Sequence, residues 1–306
     1  MIQTNKKGDW FEMIIPASWE QYTLESLFKG FWKAPKKVVH QFRLDKKVLI
    51  NGVQPDWTQP LKKGQRIQLK LFTEKALTVI PEYHDIGIIY EDDHLIVFNK
   101  PAGMDTHPNE RGQTGTLANA AAFHVQSNGE ASNPRHIHRL DRDTTGAILF
   151  AKHAFIAAIL DKMLEERFIK RTYLALADGI IRQKKGTFNK PIGRDRHHPT
   201  KRRVSETGQN AVTHFKVLRQ MKEENLTLVQ CTLETGRTHQ IRVHFSDFKH
   251  PLAGDALYGG SETFQRQALH AVKLEFIHPF TQEKIECHAP FIDQPPIFLN
   301  IELYDI

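Results

Sequence analysis

Apolar and polar positions along the 306-residue chain fall into two tracts of different rhythm. Residues from about 14 to 71 read as a small α/β module. In residues 22–31, Leu24, Leu27, Phe28 and Phe31 recur at helical spacing. Val48-Leu49-Ile50-Asn51-Gly52-Val53 reads as a strand ending in an Asn-Gly turn. The alternation of Ile67, Leu69 and Leu71 predicts a second strand. Residues 73–85 have the character of a linker, so the expected organisation is a module over 1–75, a linker over 76–85 and a larger domain over 86–306.

In the larger tract, residues 88–101 predict two strands around the acidic turn Glu91-Asp92-Asp93. Thr116 is placed to cap a helix through Leu117, Ala120, Ala121 and His124. Residues 154–168 predict an amphipathic helix with Phe155, Ile159, Met163 and Leu164 on one side, and residues 167–176 then turn into a strand. No internal repeat or low-complexity tract interrupts the pattern.

Composition narrows the class. Hydrophobic residues at 40% and charged residues at 25% are ordinary for a soluble globular protein. No apolar run approaches the roughly 20 residues of a membrane span, and no apolar stretch follows the first lysines, so a cytoplasmic protein without a secretory signal is expected. Cys231 and Cys287 have neither CxxC spacing nor enough partners for a zinc site or a disulfide framework. Forty-two Lys and Arg against 35 Asp and Glu give +7, which suits a polyanionic partner. The surplus is concentrated in two places. Lys33, Lys36, Lys37, His40, Arg43, Lys46 and Lys47 form one basic patch. The other is a turn-rich block between residues 186 and 211, whose Arg202 and Arg203 are candidate phosphate contacts.

Candidate chemistry centres on His138-Arg139-Leu140-Asp141-Arg142-Asp143-Thr144-Thr145-Gly146, which feeds the apolar run Ala147-Ile148-Leu149-Phe150-Ala151. In an extended chain alternate side chains share a face, so Arg139 and Asp141 point one way and His138 and Leu140 the other. A carboxylate on the lip of a buried strand can thus face a cleft with a cation beside it. On composition alone a charged turn between two elements is the favoured reading. His197-His198 and the set His239, His244 and His250 lack HExxH spacing, so no metal is expected. GxGxxG and GxxxxGK[ST] are absent, and no nucleotide cofactor is expected.

The stretch resembles the HRLDxxTSG signature of RluA/RluD-type RNA pseudouridine synthases, with Thr145 where that family usually has Ser. Other segments resemble the family's motifs in order: Tyr90-Glu91-Asp92 to Lys100-Pro101-Ala102-Gly103, Thr235-Gly236-Arg237-Thr238-His239-Gln240-Ile241-Arg242, and Gly254-Asp255 onward. The N-terminal order resembles an S4-type RNA-binding module, although Pro35-Lys36-Lys37 stands where a Ser-Arg pair is usual.

The resemblance implies an α+β fold: a mixed, largely antiparallel catalytic sheet behind a small S4-like module. It implies conversion of uridine to pseudouridine in structured RNA, large-subunit ribosomal RNA before tRNA, by a monomeric enzyme needing no cofactor. Asp141 matches the catalytic aspartate, Tyr173 the tyrosine lying against the uracil ring, and Arg242 the aspartate's cationic partner. A cation beside a carboxylate favours its ionised form. Arg237 is the competing cation, expected instead to serve a structural or phosphate-binding role in the substrate site. Arg139 matches an arginine that displaces the target nucleotide, and His138 and Thr145 complete the expected substrate-binding set. Asp143 is expected to be a solvated turn residue. One rival reading is a non-catalytic RNA-binding or ribosome-assembly factor that keeps the fold. Another is a hydrolytic glycosylase that releases the base.

Overall fold

The computed structural model describes residues 2–73, 77–130 and 132–301, so part of the expected linker, residues 74–76, lies outside the described residues. The chain opens with the antiparallel pair β1 (Thr4–Lys7) and β2 (Trp10–Ile14), earlier than the apolar pattern suggested. The predicted helix is a single turn, α1 (Leu24–Ser26), continued by a wider turn over Leu27–Phe31. Thr23 Oγ1 accepts from Ser26 N at 3.1 Å and Ser26 Oγ accepts from Thr23 N at 2.8 Å, which satisfies donors at the helix start. Helix α2 (Lys36–Leu44) exposes Lys36, Lys37 and Arg43 while burying Val39. Strands β3 (Val48–Ile50) and β4 (Arg66–Lys70) complete a four-stranded sheet of order β1-β2-β4-β3. The Asn-Gly turn is present: Asn51 and Gly52 have φ of +51° and +83°. This strand-rich region is compatible with an S4-like module.

The second sheet has ten strands. In chain order these are β5 (Ile88–Glu91), β6 (Leu95–Lys100), β7 (Arg135–His136), β8 (Thr145–Ala151), β9 (Lys170–Asp178), β10 (Lys185–Asn189), then the separate ribbon β11 (Ile192–Arg194) and β12 (Arg202–Val204), and β13 (Val212–Met221), β14 (Leu226–Leu233), β15 (Leu269–Ile277) and β16 (Lys284–His288). The main order is β10-β13-β14-β9-β15-β8-β6-β5, with β16 on β15 and β7 on β8. Every pairing is antiparallel except β8 with β15. The fold is therefore α+β with a largely antiparallel sheet. Three helices flank it: α3 (Leu117–Ser127), capped by Thr116 as predicted, α4 (Ala154–Glu165) and α5 (Gln240–Asp247). α4 stops short of residue 168 because Arg167 turns left-handed, at φ +66°. The basic block around residues 186–211 is more ordered than its composition suggested, since β10, β11 and β12 lie in it.

The two sheets share no strand, yet one hydrophobic cluster serves both. Phe28 and Trp32 of the N-terminal region meet Phe155 of α4 at ring-centroid distances of 5.3 and 5.8 Å. Phe11 and Trp32 meet Phe280 at 4.9 and 5.5 Å. The Trp32 indole N–H also donates to the Pro279 carbonyl at 3.2 Å. A second cluster lies on the face of the large sheet that carries Tyr173, Ala175 and Ala177, packed against α3 and α5. No helix among the described residues is long and apolar enough to cross a membrane.

Candidate active site

β8 sits between β6 and β15 and all seven of its residues are buried. Gly146 makes the close approach to β15 possible. Its φ is +112°, and a Cβ there would stand 2.3 Å from the Ala271 carbonyl oxygen. The segment before β8 is gripped from both sides. Buried Lys100, at the end of β6, donates from Nζ to the carbonyls of Pro101 at 2.8 Å, Met104 at 2.7 Å and Arg142 at 2.8 Å. Burial lowers this ammonium to about 7. Arg266 donates to the Asp143 carbonyl at 3.2 Å while Asp293 holds it through two contacts of 2.7 Å. Asp141 is therefore mounted on backbone fixed at the two residues that follow it.

The alternation expected before β8 is present: His138 and Leu140 are buried, Arg139 is exposed, and Asp141 is partly exposed. Asp141 lies where two openings meet. One cleft, of about 530 Å³, includes Arg139, Arg171, Tyr173 and Thr238. The other, of about 630 Å³, includes Thr106, His107, Arg202 and Asp255.

Arg242 reaches Asp141 from α5, more than a hundred residues away in sequence. Its Nη1 donates to Asp141 Oδ2 at 3.0 Å. The opposite edge of the guanidinium is clamped by Asp255, Nε to Oδ2 at 2.7 Å and Nη2 to Oδ1 at 2.9 Å. Burial works against the charge of Arg242, but the hydrogen bonds and fields of Asp255 and Asp141 outweigh it and hold the guanidinium above its ordinary value. Tyr258 covers it, with Cζ 5.0 Å from the ring centroid.

The start of α5 is built around Gln240. Its Oε1 accepts from Thr235 Oγ1 at 2.8 Å and Arg237 N at 3.0 Å, and its amide donates to Val212 O and Thr213 Oγ1, each at 3.0 Å. This ties the Thr235–Arg237 turn to β13 and sets the helix that aims Arg242. Just before the helix, His239 is left-handed, at φ +58°. Its Nδ1 lies 2.8 Å from the Tyr258 hydroxyl, which also accepts from Arg202 N at 2.9 Å. The other ring nitrogen, Nε2, stands 4.0 Å from Asp141 Oδ2. Burial lowers His239 below its ordinary value and pushes Tyr258 up to about 12.

Tyr173 is buried in β9 opposite Cys231 of β14, with its side chain in the cleft and its phenol raised by burial. Arg139 reaches across the cleft to the Thr238 hydroxyl. Arg237, the competing cation, is directed elsewhere: it is exposed, and its Nε donates to the Asn210 carbonyl at 3.0 Å.

Three candidates have other surroundings than expected. His138 Nε2 accepts from Leu149 N at 3.2 Å, and burial lowers the ring to about 3. Thr145 is fully buried; its hydroxyl accepts from Arg266 at 2.9 Å and meets His270 at 2.7 Å, so it braces the strand. Of the adjacent pair on β12, Arg202 is half-buried at the second cleft, whereas Arg203 points outward. Asp143 is not simply solvated: it accepts from Gly103 N at 3.2 Å. The histidines weighed as a metal set diverge, His244 to Thr213 and Lys190 and His250 to the Asp178 carbonyl. Among the described residues no three His, Cys, Asp or Glu side chains form a metal-holding group.

Sequence reasoning gave no site role to Lys100, Asp255, Tyr258 or Arg266, and weighed His239 only as a metal ligand. Asp255 left one signal: it is the only charge between Pro251 and Gly260, a stretch otherwise apolar or glycine-rich.

A mixed sheet thus carries a cleft-lip aspartate held by a buried arginine, in a cleft that also contains a tyrosine. The profile of the RNA pseudouridylate synthase family matches residues 94–247, and the chain belongs to that family. It is of the RluD type, since the profile of the RluD ribosomal pseudouridine synthase N-terminal domain matches residues 11–67. The chain is 52% identical over 288 residues to the Bacillus subtilis RNA pseudouridine synthase YhcT, covering 94% of this chain and 95% of that one. It is 39% identical to the ribosomal large subunit pseudouridine synthase D of Vibrio vulnificus, over 88% of this chain and 86% of the relative. Among solved structures, human RNA pseudouridylate synthase domain containing 1 superposes with a TM-score of 0.58 at 26% identity, covering 72% of this chain and 92% of that one.

Proposed function

We propose that the chain isomerises uridine to pseudouridine in large-subunit ribosomal RNA, with the Asp141 carboxylate acting on the extruded nucleotide. The observation that carries this reading is the disposition of Asp141. One oxygen is held by Arg242 at 3.0 Å, and the group opens onto a cleft that also contains Tyr173. The relatives named ribosomal large subunit pseudouridine synthase D support ribosomal RNA as the substrate class, and that substrate carries a cytoplasmic location with it.

The reaction breaks N1–C1′, turns the base and joins C5 to C1′. N1 gains a proton and C5 loses one, so nothing is added overall and no cofactor is required. The target base must first leave its stack, at a cost of a few kcal/mol. Exposed Arg139 at the cleft mouth is placed to occupy the vacated space. Tyr173 offers a ring face to the base. In this reading the exposed Lys36, Lys37 and Arg43 of α2, with half-buried Arg202, contact phosphates.

The test is carbodiimide mapping of pseudouridine in total RNA from cells lacking this protein. A lost stop in large-subunit ribosomal RNA should return with the wild-type chain and not with Asp141→Asn. Restoration by the variant refutes the role of Asp141, and a lost stop only in tRNA refutes the substrate. Free uracil after incubation with RNA would favour a hydrolytic glycosylase. Absence of any lost stop would favour the non-catalytic binding factor, against which the fully assembled Asp141–Arg242–Asp255 arrangement argues.

A further inference from the structure

We propose that Arg171 is a second catalytic residue, whose guanidinium binds the carbonyl oxygens of the extruded uracil and stabilises the negative charge that gathers on the ring as N1–C1′ breaks. This rests on reading the cleft as a uridine site. Arg171 lies on β9 two residues before Tyr173, so the two side chains leave the same face of the strand. Both line the cleft that contains Asp141.

Arg171 is only 7% exposed, and its Nε is buried with no hydrogen-bond partner. Among the described residues its side chain has no ion pair, and the four cation–π contacts belong to other cations. A buried cation normally has a counter-charge or acceptors, because desolvation otherwise makes it costly. The carboxylates of this cleft are already engaged. Arg242 holds Asp141, Lys162 holds Glu165 at 2.8 Å, and Arg135 holds Asp161. Glu234 is taken by Arg167 at 2.6 Å and His214 at 2.7 Å. Room for the guanidinium comes from Gly236, where a Cβ would stand 3.1 Å from Arg171 Nη1. The protein thus supplies a place for the charge and no partner for it.

The partner is an acceptor brought by the substrate. Backbone phosphates stay at the mouth, where exposed Arg237 is available. What enters as far as Tyr173 is the base, and the acceptors of uracil are O2 and O4. A guanidinium presents a flat fork of donors suited to such oxygens. When N1–C1′ breaks, its electron pair passes to the ring and spreads over N1, O2 and O4. Arg171 keeps its protons and donates hydrogen bonds to that charge. The ring turns, the C5 pair forms C5–C1′, and the C5 proton leaves as N1 takes one up. Donors fixed where charge develops act mainly on the chemical step and little on binding.

The test uses the full chain with total RNA from cells lacking the protein, grown with uridine tritiated at C5, and reads single-turnover tritium release beside RNA affinity by filter retention. Arg171→Met should slow release by about 100- to 1000-fold, with the dissociation constant within about threefold of wild type. Arg171→Lys, which keeps the charge and fewer donors, should fall between, and added guanidinium ion should partly restore Arg171→Met. Folding of both variants is checked by their thermal transitions, and Arg171→Lys carries the test alone if Arg171→Met does not fold. Release by either variant at the wild-type rate, or a loss confined to affinity, overturns the proposal. A wild-type chain that releases no tritium, or an Asp141→Asn variant that does, instead overturns the reading on which it rests.

Discussion

Asp255 gives the sharpest test of how the site is held. Its carboxylate is 1% exposed and grips Arg242 through contacts of 2.7 and 2.9 Å. Asp255→Ala leaves a buried guanidinium with Asp141 as its remaining carboxylate. Unit charges roughly 4 Å apart at an effective dielectric of about 20 interact by ~4 kcal/mol. Breaking one partner of a buried pair costs about 3–5 kcal/mol. At about 2–4 °C per kcal/mol, the melting temperature should fall by roughly 6–20 °C. Arg242→Met should cost a similar amount, because it strands Asp255. The double variant Arg242→Met/Asp255→Leu, which removes both charges, should be less destabilised than the two singles summed, by at least about 2 kcal/mol. In single-turnover assays Asp255→Ala should lose at least about tenfold in rate, because misplacing the cation misplaces Asp141. Additive destabilisation in the cycle, or a wild-type rate for Asp255→Ala, would refute the idea that Asp255 sets the posture of Arg242.

Three further outcomes are expected. Gly146→Ala should be destabilised by about 3 kcal/mol or more, since the new methyl meets Ala271 backbone and has no flexible neighbour to displace; a soluble variant melting within a few degrees of wild type refutes this. Trp32→Ala should cost about 3–5 kcal/mol and lower the melting of the whole chain in one transition, whereas separate transitions for the two sheets would contradict a shared core. His138 and His270 are lowered by burial to about 3 and about 4, so the unfolded chain takes up protons first as pH falls. Their contribution is complete above pH ~6.5 and declines toward the folded values, by up to ~1.4 kcal/mol per pH unit for each ring. Urea midpoints should drop between pH 7 and 5, less steeply for His270→Asn, and a flat profile would sink the assignment.

The parts of the site legible in the sequence were those that local rules could fix. Strand alternation placed Arg139 and Asp141 together on the accessible side, and Thr116 marked the start of α3. Arg242 was reachable through its motif, but no spacing rule connects it to Asp255, because that pairing depends on how α5 packs against the following loop. The roles expected of His138 and Thr145 rested on the motif alone, and only the structure shows that the backbone of Leu149 and the Arg266 side chain bind them. Arg171 lay within the strand expected over residues 167–176, with nothing in the sequence to set it apart. Its unusual state, buried and unmatched, emerges only when its neighbours are paired off with others.

The aromatic seam at Phe28, Trp32, Phe155 and Phe280 has a consequence for reach. Because that seam is solid packing and not a loose string, the lysines of α2 stand at a set distance from Asp141. An RNA that met both, as proposed, would be measured as if against a ruler, and a strand or bulge of the wrong span would miss the cleft however well its sequence suited.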